Sequence, residues 1–352
     1  MTGHDLRDAR LAATVVRGVW RKHATAGALR PGPLLGALLL AALAGIPVAS
    51  AQSFPSKPLR LVVPFAPGGT GDLLGRILAQ AMGETIGQPI VVDNRPGAGG
   101  NIGAEIIARS TVPDGYNLLL AATSLASNVS LMRKLPYDPV KDLSPIGMVA
   151  VIPNIAVVHP SLPVKSIKEL VALAKARPGQ LSFGSAGNGT SSHLAVELFK
   201  VAAGVDIVHV PYKSGGPAML DLMGGQIQLM FELMPSALPF VKAGKLRAFA
   251  VTSAKRSSVV PQLPTVAEAG VPGYEFAGWF GVFAPPGVPA NVAARLNAAL
   301  NKALENADVR QRLAEQGAEP SPTSPEQLGK FLRGEIDKWA QVVKAGKLPL
   351  LE

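Results

Sequence analysis

The residues of this chain best suited to chemistry sit in two glycine-rich turns. Ala66-Pro67-Gly68-Gly69-Thr70-Gly71-Asp72 lies between an apolar run, Leu59 to Phe65, and a helix-like run, Leu73 to Met82. Gly184-Ser185-Ala186-Gly187-Asn188-Gly189-Thr190-Ser191-Ser192-His193 lies likewise between Leu181 to Phe183 and Leu194 to Val201. Glycine lets backbone N–H groups approach a ligand closely, and a helix start adds partial positive charge, so each turn is a candidate anion holder. Facing each other, the two would clamp one anion.

Other chemistries fit the same residues less well. Gly184 and Gly189 have the spacing of a nucleotide phosphate loop, but Thr190 stands where that loop needs lysine. Gly97-Ala98-Gly99-Gly100-Asn101-Ile102 lacks the third glycine of a dinucleotide fingerprint. Ser191, Ser192 and His193 invite a hydrolase reading, yet a nucleophile elbow needs glycine two positions to either side of its serine, and His193 follows Ser191 at that distance. Beyond residue 51 the histidines are His159, His193 and His209, and none has metal-ligand spacing from another, so no metal is expected.

Further polar residues cluster at the ends of strand-like runs. Thr123 and Ser124 follow Leu118 to Ala121, at the carboxyl edge where ligands of open α/β sheets collect, or else form a plain capping turn. Pro211-Tyr212-Lys213-Ser214-Gly215-Gly216-Pro217 is a third strand-to-helix turn, in which Lys213 either attracts an anion or stays solvated. Glu232, just after Leu229 to Phe231, either meets an amino group on a ligand or caps. Asp72 suits a first-turn acid of its helix, a role compatible with holding the loop so that Gly68, Gly69 and Thr70 present N–H groups to a cleft.

The elements that must position these residues alternate, strand-like with helix-like, which argues for α/β layers with parallel strands. Expected strands are Leu59 to Phe65, Ile90 to Val92, Leu118 to Ala121, Ile155 to Val158, Leu181 to Phe183, Ile207 to Val210, Leu229 to Phe231, Ala248 to Val251 and Phe280 to Phe283. Expected helices include Asp72 to Ile86, stopped by Gly87 and Pro89; Ile167 to Ala176, introduced by Ser166; Asn291 to Gly317; and Pro325 to Ala345. Chain crossings are expected near Pro153 to Ile155 and between Thr252 and Gly273. These would make residues 52–154 and 261–352 a discontinuous first domain and 155–260 a second, with the ligand cleft between them.

Composition bounds the rest. The chain has 352 residues, 48% hydrophobic and 16% charged, enough for two domains with real cores. It has no cysteine, which removes disulfides, thiolate metal sites and cysteine nucleophiles. Residues 1–51 read as an export signal: Leu34 to Ile46 is apolar, Arg30 precedes it, and Ala49-Ser50-Ala51 offers cleavage after Ala51. The stretch ahead of that run is long for a leader and points to a later start, for instance at Val19. Of the formal +10, six Lys/Arg against two acids lie in residues 1–51, so the remainder carries a dispersed +6. That pattern excludes the clustered basic stripe of a nucleic-acid binder and suits attraction of small anions.

Several motifs together resemble the tripartite tricarboxylate transporter receptors, also called the Bug or TctC family. They are Pro64 to Asp72, Asn94-Arg95-Pro96 through Gly103, Pro113-Asp114-Gly115-Tyr116, Gly184 to His193, Val210 to Lys213 and Pro264-Thr265-Val266-Ala267-Glu268-Ala269-Gly270. The resemblance spans Pro55 to the C-terminus. It implies a two-lobed α/β periplasmic binding protein of the Venus-flytrap kind, type II-like, that is monomeric, uses no cofactor, and delivers a small carboxylate to membrane permease subunits. Carried over, the first-lobe ligand residues are Phe65, Ala66, Gly68, Gly69, Thr70, Asp72, Thr123 and Ser124. The second-lobe ones are Ser185, Ala186, Gly187, Thr190 and His193, with Lys213 and Glu232 less firmly placed. Where the family more often has aspartate this chain has Glu232, whose extra methylene carries the carboxyl about 1.5 Å further. Valine at Gly69 or Thr190 is expected to cost affinity and spare stability. Glutamine at Glu232 is expected to weaken an amino-acid ligand but not a plain dicarboxylate. The rival readings are a sensor presenting its closed state to a membrane signalling partner, and a periplasmic hydrolase built on Ser191 and His193.

Overall fold

The computed structural model describes residues 54–346 and 348–351. The expected export signal lies outside the described residues. Among these, no helix is long and apolar enough to cross a membrane.

The chain runs β1 (Leu59–Val63), α1 (Thr70–Ile86), β2 (Ile90–Asn94), α2 (Asn101–Ala108), β3 (Asn117–Ala122), α3 (Ser124–Leu131) and β4 (Ser144–Val158). It continues through α4 (Ile167–Ala176), β5 (Ser182–Ser185), α5 (Ser191–Ala203), β6 (Val208–Pro211), α6 (Gly215–Met223), β7 (Leu229–Leu233), α7 (Met234–Lys242) and β8 (Arg247–Val251). The last elements are β9 (Ala277–Ala284), α8 (Ala290–Glu305), α9 (Ala307–Ala314), β10 (Glu319–Pro320) and α10 (Pro325–Gly346). Local chemistry accounts for many boundaries. The Ser166 hydroxyl accepts from Glu169 N–H to start α4, and Gly87 ends α1 in the left-handed region at φ 81°. The helical region expected over Asn291 to Gly317 divides into α8 and α9, because Asn306 turns extended and its side chain accepts from the N–H groups of Asp308 and Val309.

The strands form a mixed sheet in the order β2-β1-β3-β9-β4-β7-β5-β6, with β8 and β10 also paired to β4. The expectation of parallel strands holds for β2-β1-β3 and for β7-β5-β6. It fails at the centre, where β9 is antiparallel to both β3 and β4, and β4 is antiparallel to β7 and β8. The cause is the 15-residue β4, of which only the last four residues read as strand in the sequence. Its residues 144–153 pair with β9, and Asn154 to Val158 pair with β7 and β8. One strand therefore serves both halves of the sheet.

Where its partners change, a second chain segment is tied in. Asn154 N–H donates to the Thr252 hydroxyl at 2.8 Å, Thr252 N–H donates to the Asn154 carbonyl at 2.9 Å, and Asn154 Nδ2 reaches the Phe231 carbonyl at 2.7 Å. Asn154 and Thr252 are both fully buried. Replacing Thr252 by valine keeps the shape but strips a buried backbone donor of its partner, at a cost of about 1–3 kcal/mol. Urea unfolding of Thr252→Val should show that loss as a lower midpoint with an unchanged slope.

Candidate functional site

The carboxyl ends of β1, β3, β5 and β7 and the turn after β6 lead into helices whose first residues surround one cavity. Its water-accessible interior is about 30 Å³. The N-cap residues of α1, α3, α5, α6 and α7 are Gly69, Thr123, Thr190, Ser214 and Leu233, and all five line it. None of these caps accepts a backbone N–H of its own helix through its side chain. The early N–H groups of a helix have no partner within it, and they carry the positive end of its dipole. Five such ends around one space make it a trap for negative charge. Phe65, Trp279 and Phe280 supply apolar wall, and no lysine or arginine lines the cavity among the described residues.

Two of these helix starts meet head to head. The Ser236 hydroxyl, in the first turn of α7, accepts from Thr70 N–H at 3.0 Å and lies 2.8 Å from the Thr70 hydroxyl in the first turn of α1. A second contact joins the same halves of the sheet, with Ser127 Oγ of α3 donating to the Gly189 carbonyl at 2.8 Å. Beside it Gly189, at φ 71°, leaves no space for a side chain against Asn128.

Of the residues singled out from the sequence, the structure gathers Phe65, Gly69, Thr70, Thr123, Ala186, Thr190 and Glu232 around the cavity. The Thr123 hydroxyl accepts from Trp279 N–H at 3.1 Å, and the Thr190 hydroxyl donates to the Gly187 carbonyl at 2.6 Å. The others stand elsewhere. Asp72 is buried under the first turn, where it accepts from Gly68 N–H, Asn94 Nδ2 and Arg76. Burial works against its charge, but the bonds from Arg76, Gly68 and Asn94 hold the carboxyl below its usual range. Gly68 N–H thus points to Asp72 instead of a ligand, and Gly68 and Ala66 lie outside the lining. Ser124 faces a separate small pocket beside Asn101 and Tyr137. Gly187 and the exposed Lys213 border an outer groove.

Ser185 and His193 brace the second turn from behind. Ser185 Oγ lies 2.6 Å from His209 Nε2 and accepts from Gly187 N–H, while His193 Nδ1 accepts from Gly189 N–H at 3.1 Å. The His193 and His209 rings stack at 4.1 Å with Phe183 beyond them. Ser192 Oγ accepts from Ala186 N–H. The histidine of the hydrolase reading is thereby engaged with Gly189, leaving Ser191 without the base that reading gave it.

The lining residues not assigned to ligand from the sequence include Ser214, Gly215, Ser236, Trp279 and Phe280, and Ser191, which was read only as a hydrolase nucleophile. Ser214 and Gly215 were visible as a turn without an assigned role. Ser236, Trp279 and Phe280 carried no local signal, since they reach the cavity only through strand order. The most unusual group is Glu232. It is 3% exposed, and burial pushes its carboxyl up to about 7 against a small opposing bond from Leu233 N–H. Its Oε2 and the Ser214 hydroxyl are buried without a partner.

Comparison with known proteins bears on this geometry. Residues 74–348 match the family described as "Tripartite tricarboxylate transporter family receptor". The chain is 41% identical to Protein BugT of Bordetella pertussis over 313 residues, covering 88% of this chain and 95% of that one. Among solved structures it is similar to R. palustris Rpa4515 with adipate, at 39% identity and a TM-score of 0.82 over 85% of this chain and 100% of that one. It is also similar to the periplasmic binding protein BugD, at 36% identity and a TM-score of 0.81 over 84% and 99%. The fold is the two-lobed α/β arrangement of periplasmic binding proteins.

The histidine stack sets an acid limit. Burial is the main cause holding His193 well below the usual imidazole range and His209 at about 4, helped by mutual repulsion at His193 and by Lys200 at both. The native state then binds fewer protons than the unfolded one, so stability is full above about pH 6.5 and is lost as pH falls toward 4. The melting temperature should fall across that window, and the His193→Gln/His209→Gln double variant should flatten the fall.

Proposed function

The chain belongs to the tripartite tricarboxylate transporter family of receptors, and we propose that it captures a small carboxylate and hands it to the membrane subunits of such a transporter. The family consists of solute-binding receptors rather than enzymes and is periplasmic. The observation that carries the ligand class is the ring of five helix starts around one cavity, none capped by the side chain of its own N-cap residue and with no cation among them. A carboxylate satisfies orphan N–H groups and opposes the dipoles without forming a buried salt bridge, whose desolvation cost rivals its gain. A relative holding adipate supports the same class.

The head-to-head contact supplies the mechanism. With the cavity unfilled, bringing α1 and α7 together opposes two positive ends; an anion between them turns that repulsion into attraction and favours the closed state. The lobes, 52–154 with 261–352 and 155–260, would part by bending where β4 changes partners and in the segment after β8, breaking the Thr70–Ser236 and Ser127–Gly189 contacts. The leader would direct export and be removed near Ala51, and the mature receptor would act as a monomer. Nothing specific in the site favours the sensor reading over delivery.

Gly69 is the position to test. Its φ of −93° suits any residue, and a Cβ there meets no atom closer than the Ala66 carbonyl at 4.0 Å. Gly69→Val should fold normally, with an unchanged melting temperature without ligand, and should lose at least about tenfold in adipate affinity by calorimetry, or about 1.4 kcal/mol. Thr190→Val is a poorer probe than the sequence suggests, because it also removes the buried bond to Gly187. Undiminished affinity in Gly69→Val would overturn the proposed site, and unchanged uptake of labelled adipate in cells lacking the receptor would overturn delivery.

A further inference from the structure

Two buried polar atoms on one wall of the cavity remain without partners: Glu232 Oε2 at the end of β7 and the Ser214 hydroxyl at the start of α6. Both residues are more than nine-tenths buried. Gly215 is part of the arrangement, since a Cβ there would stand 3.0 Å from Glu232 Oε1, tighter than ordinary contact, and glycine lets the carboxyl sit close to the start of α6 without shifting. Leaving a buried polar atom unpaired is costly, so the pair is placed to meet something on the ligand.

We propose that Glu232 and Ser214 form a distal subsite in which Glu232, carrying a proton, donates to the second carboxylate of a dicarboxylate ligand. This rests on the carboxylate reading above and adds the ligand's second group and the proton that accompanies it. The proton comes from solvent, resides on Glu232, and is shared with the ligand oxygen; no covalent bond to carbon changes. A dianion entering this cavity meets no lysine or arginine, so the donors for its second end must be neutral O–H and N–H groups. An ammonium at that end would face one acid but five positive helix ends, which disfavours an amino group as the occupant.

The surroundings leave Glu232 alone to titrate. Against β7 pack β4, β5, α5, α6 and α7. β4 and β5 contain no ionisable side chain. On α5, Lys200 is paired with Glu197 and His193 is engaged with Gly189. On α6, Asp221 accepts from Tyr212 Oη, and Lys242 lies in the last turn of α7. Tyr274, whose ring meets that of Phe231, donates to the Ala195 carbonyl. None of these groups lines the cavity. Burial alone already brings Glu232 to about 7, and a ligand carboxylate beside it favours the protonated form further.

The test is calorimetry of the purified protein with adipate and with hexanoate at pH 6 and pH 8, each in two buffers of different ionisation enthalpy. Adipate should bind about tenfold more weakly at pH 8 than at pH 6, and at pH 8 its binding should take up close to one proton, seen as a buffer-dependent enthalpy that nearly vanishes at pH 6. Glu232→Gln should bind adipate at pH 6 within a few-fold of the native protein and lose both the pH dependence and the proton. Ser214→Ala, which removes no existing bond, should weaken adipate several-fold and keep the slope. Affinity that is flat or rises with pH, a slope retained in Glu232→Gln, or tight 6-aminohexanoate binding abolished in that variant would each overturn the proposal. Hexanoate binding without adipate binding would overturn it and leave the carboxylate reading standing; binding of neither would remove both.

Discussion

The structure depends on one backbone constraint: every peptide group of the long strand β4 must be paired although its two ends lie in different halves of the sheet. Pairing with β9 up to Pro153 and with β7 and β8 from Asn154, together with β10 and the Thr323 and Asn297 side chains on the other edge, meets it. The two halves are thereby joined along a continuous strand, and the buried Asn154–Thr252 bonds tie the second connection to the same point. A joint of this kind fixes which ends of the other strands face each other.

From that follows the electrostatics of the cavity. With the parallel strands β1, β3, β5, β6 and β7 ending toward a common space, the helices that follow them begin there. Each contributes unpaired N–H groups and the positive end of its dipole. The charge-attracting character of the site is thus a product of chain direction, and it needs no cationic side chain. That distinguishes it from a salt-bridge site, where desolvating an arginine or lysine offsets much of the attraction.

The same arrangement explains the division of labour among polar residues near the turns. Asp72, Ser185, His193 and His209 hold loops in shape, and their bonds are all satisfied within the protein. Glu232 and Ser214 are the reverse, buried and unsatisfied in the protein alone. A group that braces a loop must be fully bonded before ligand arrives, whereas a group that recognises ligand must keep an atom free for it.

Much of this was legible in the sequence. Strand and helix positions follow from local hydrophobic period and from stops such as Gly87 and starts such as Ser166, so nine strands and the α/β class could be read directly, and the two glycine turns marked the site. What local pattern could not reveal was pairing. The first ten residues of β4 carry Pro145, Gly147 and Pro153, which hide a strand that tertiary contacts stabilise, and antiparallel β9 looks like any other apolar run. Which polar residue meets the cavity and which one turns away was likewise decided by packing. Asp72 and Glu232 are both acids at strand-to-helix junctions, but only the fold surrounds the first with donors and leaves one oxygen of the second without a partner. The residue types set the candidates for an anion-holding clamp; the convergence of helix starts from both halves of one sheet, which depends on long-range strand order, made the cavity.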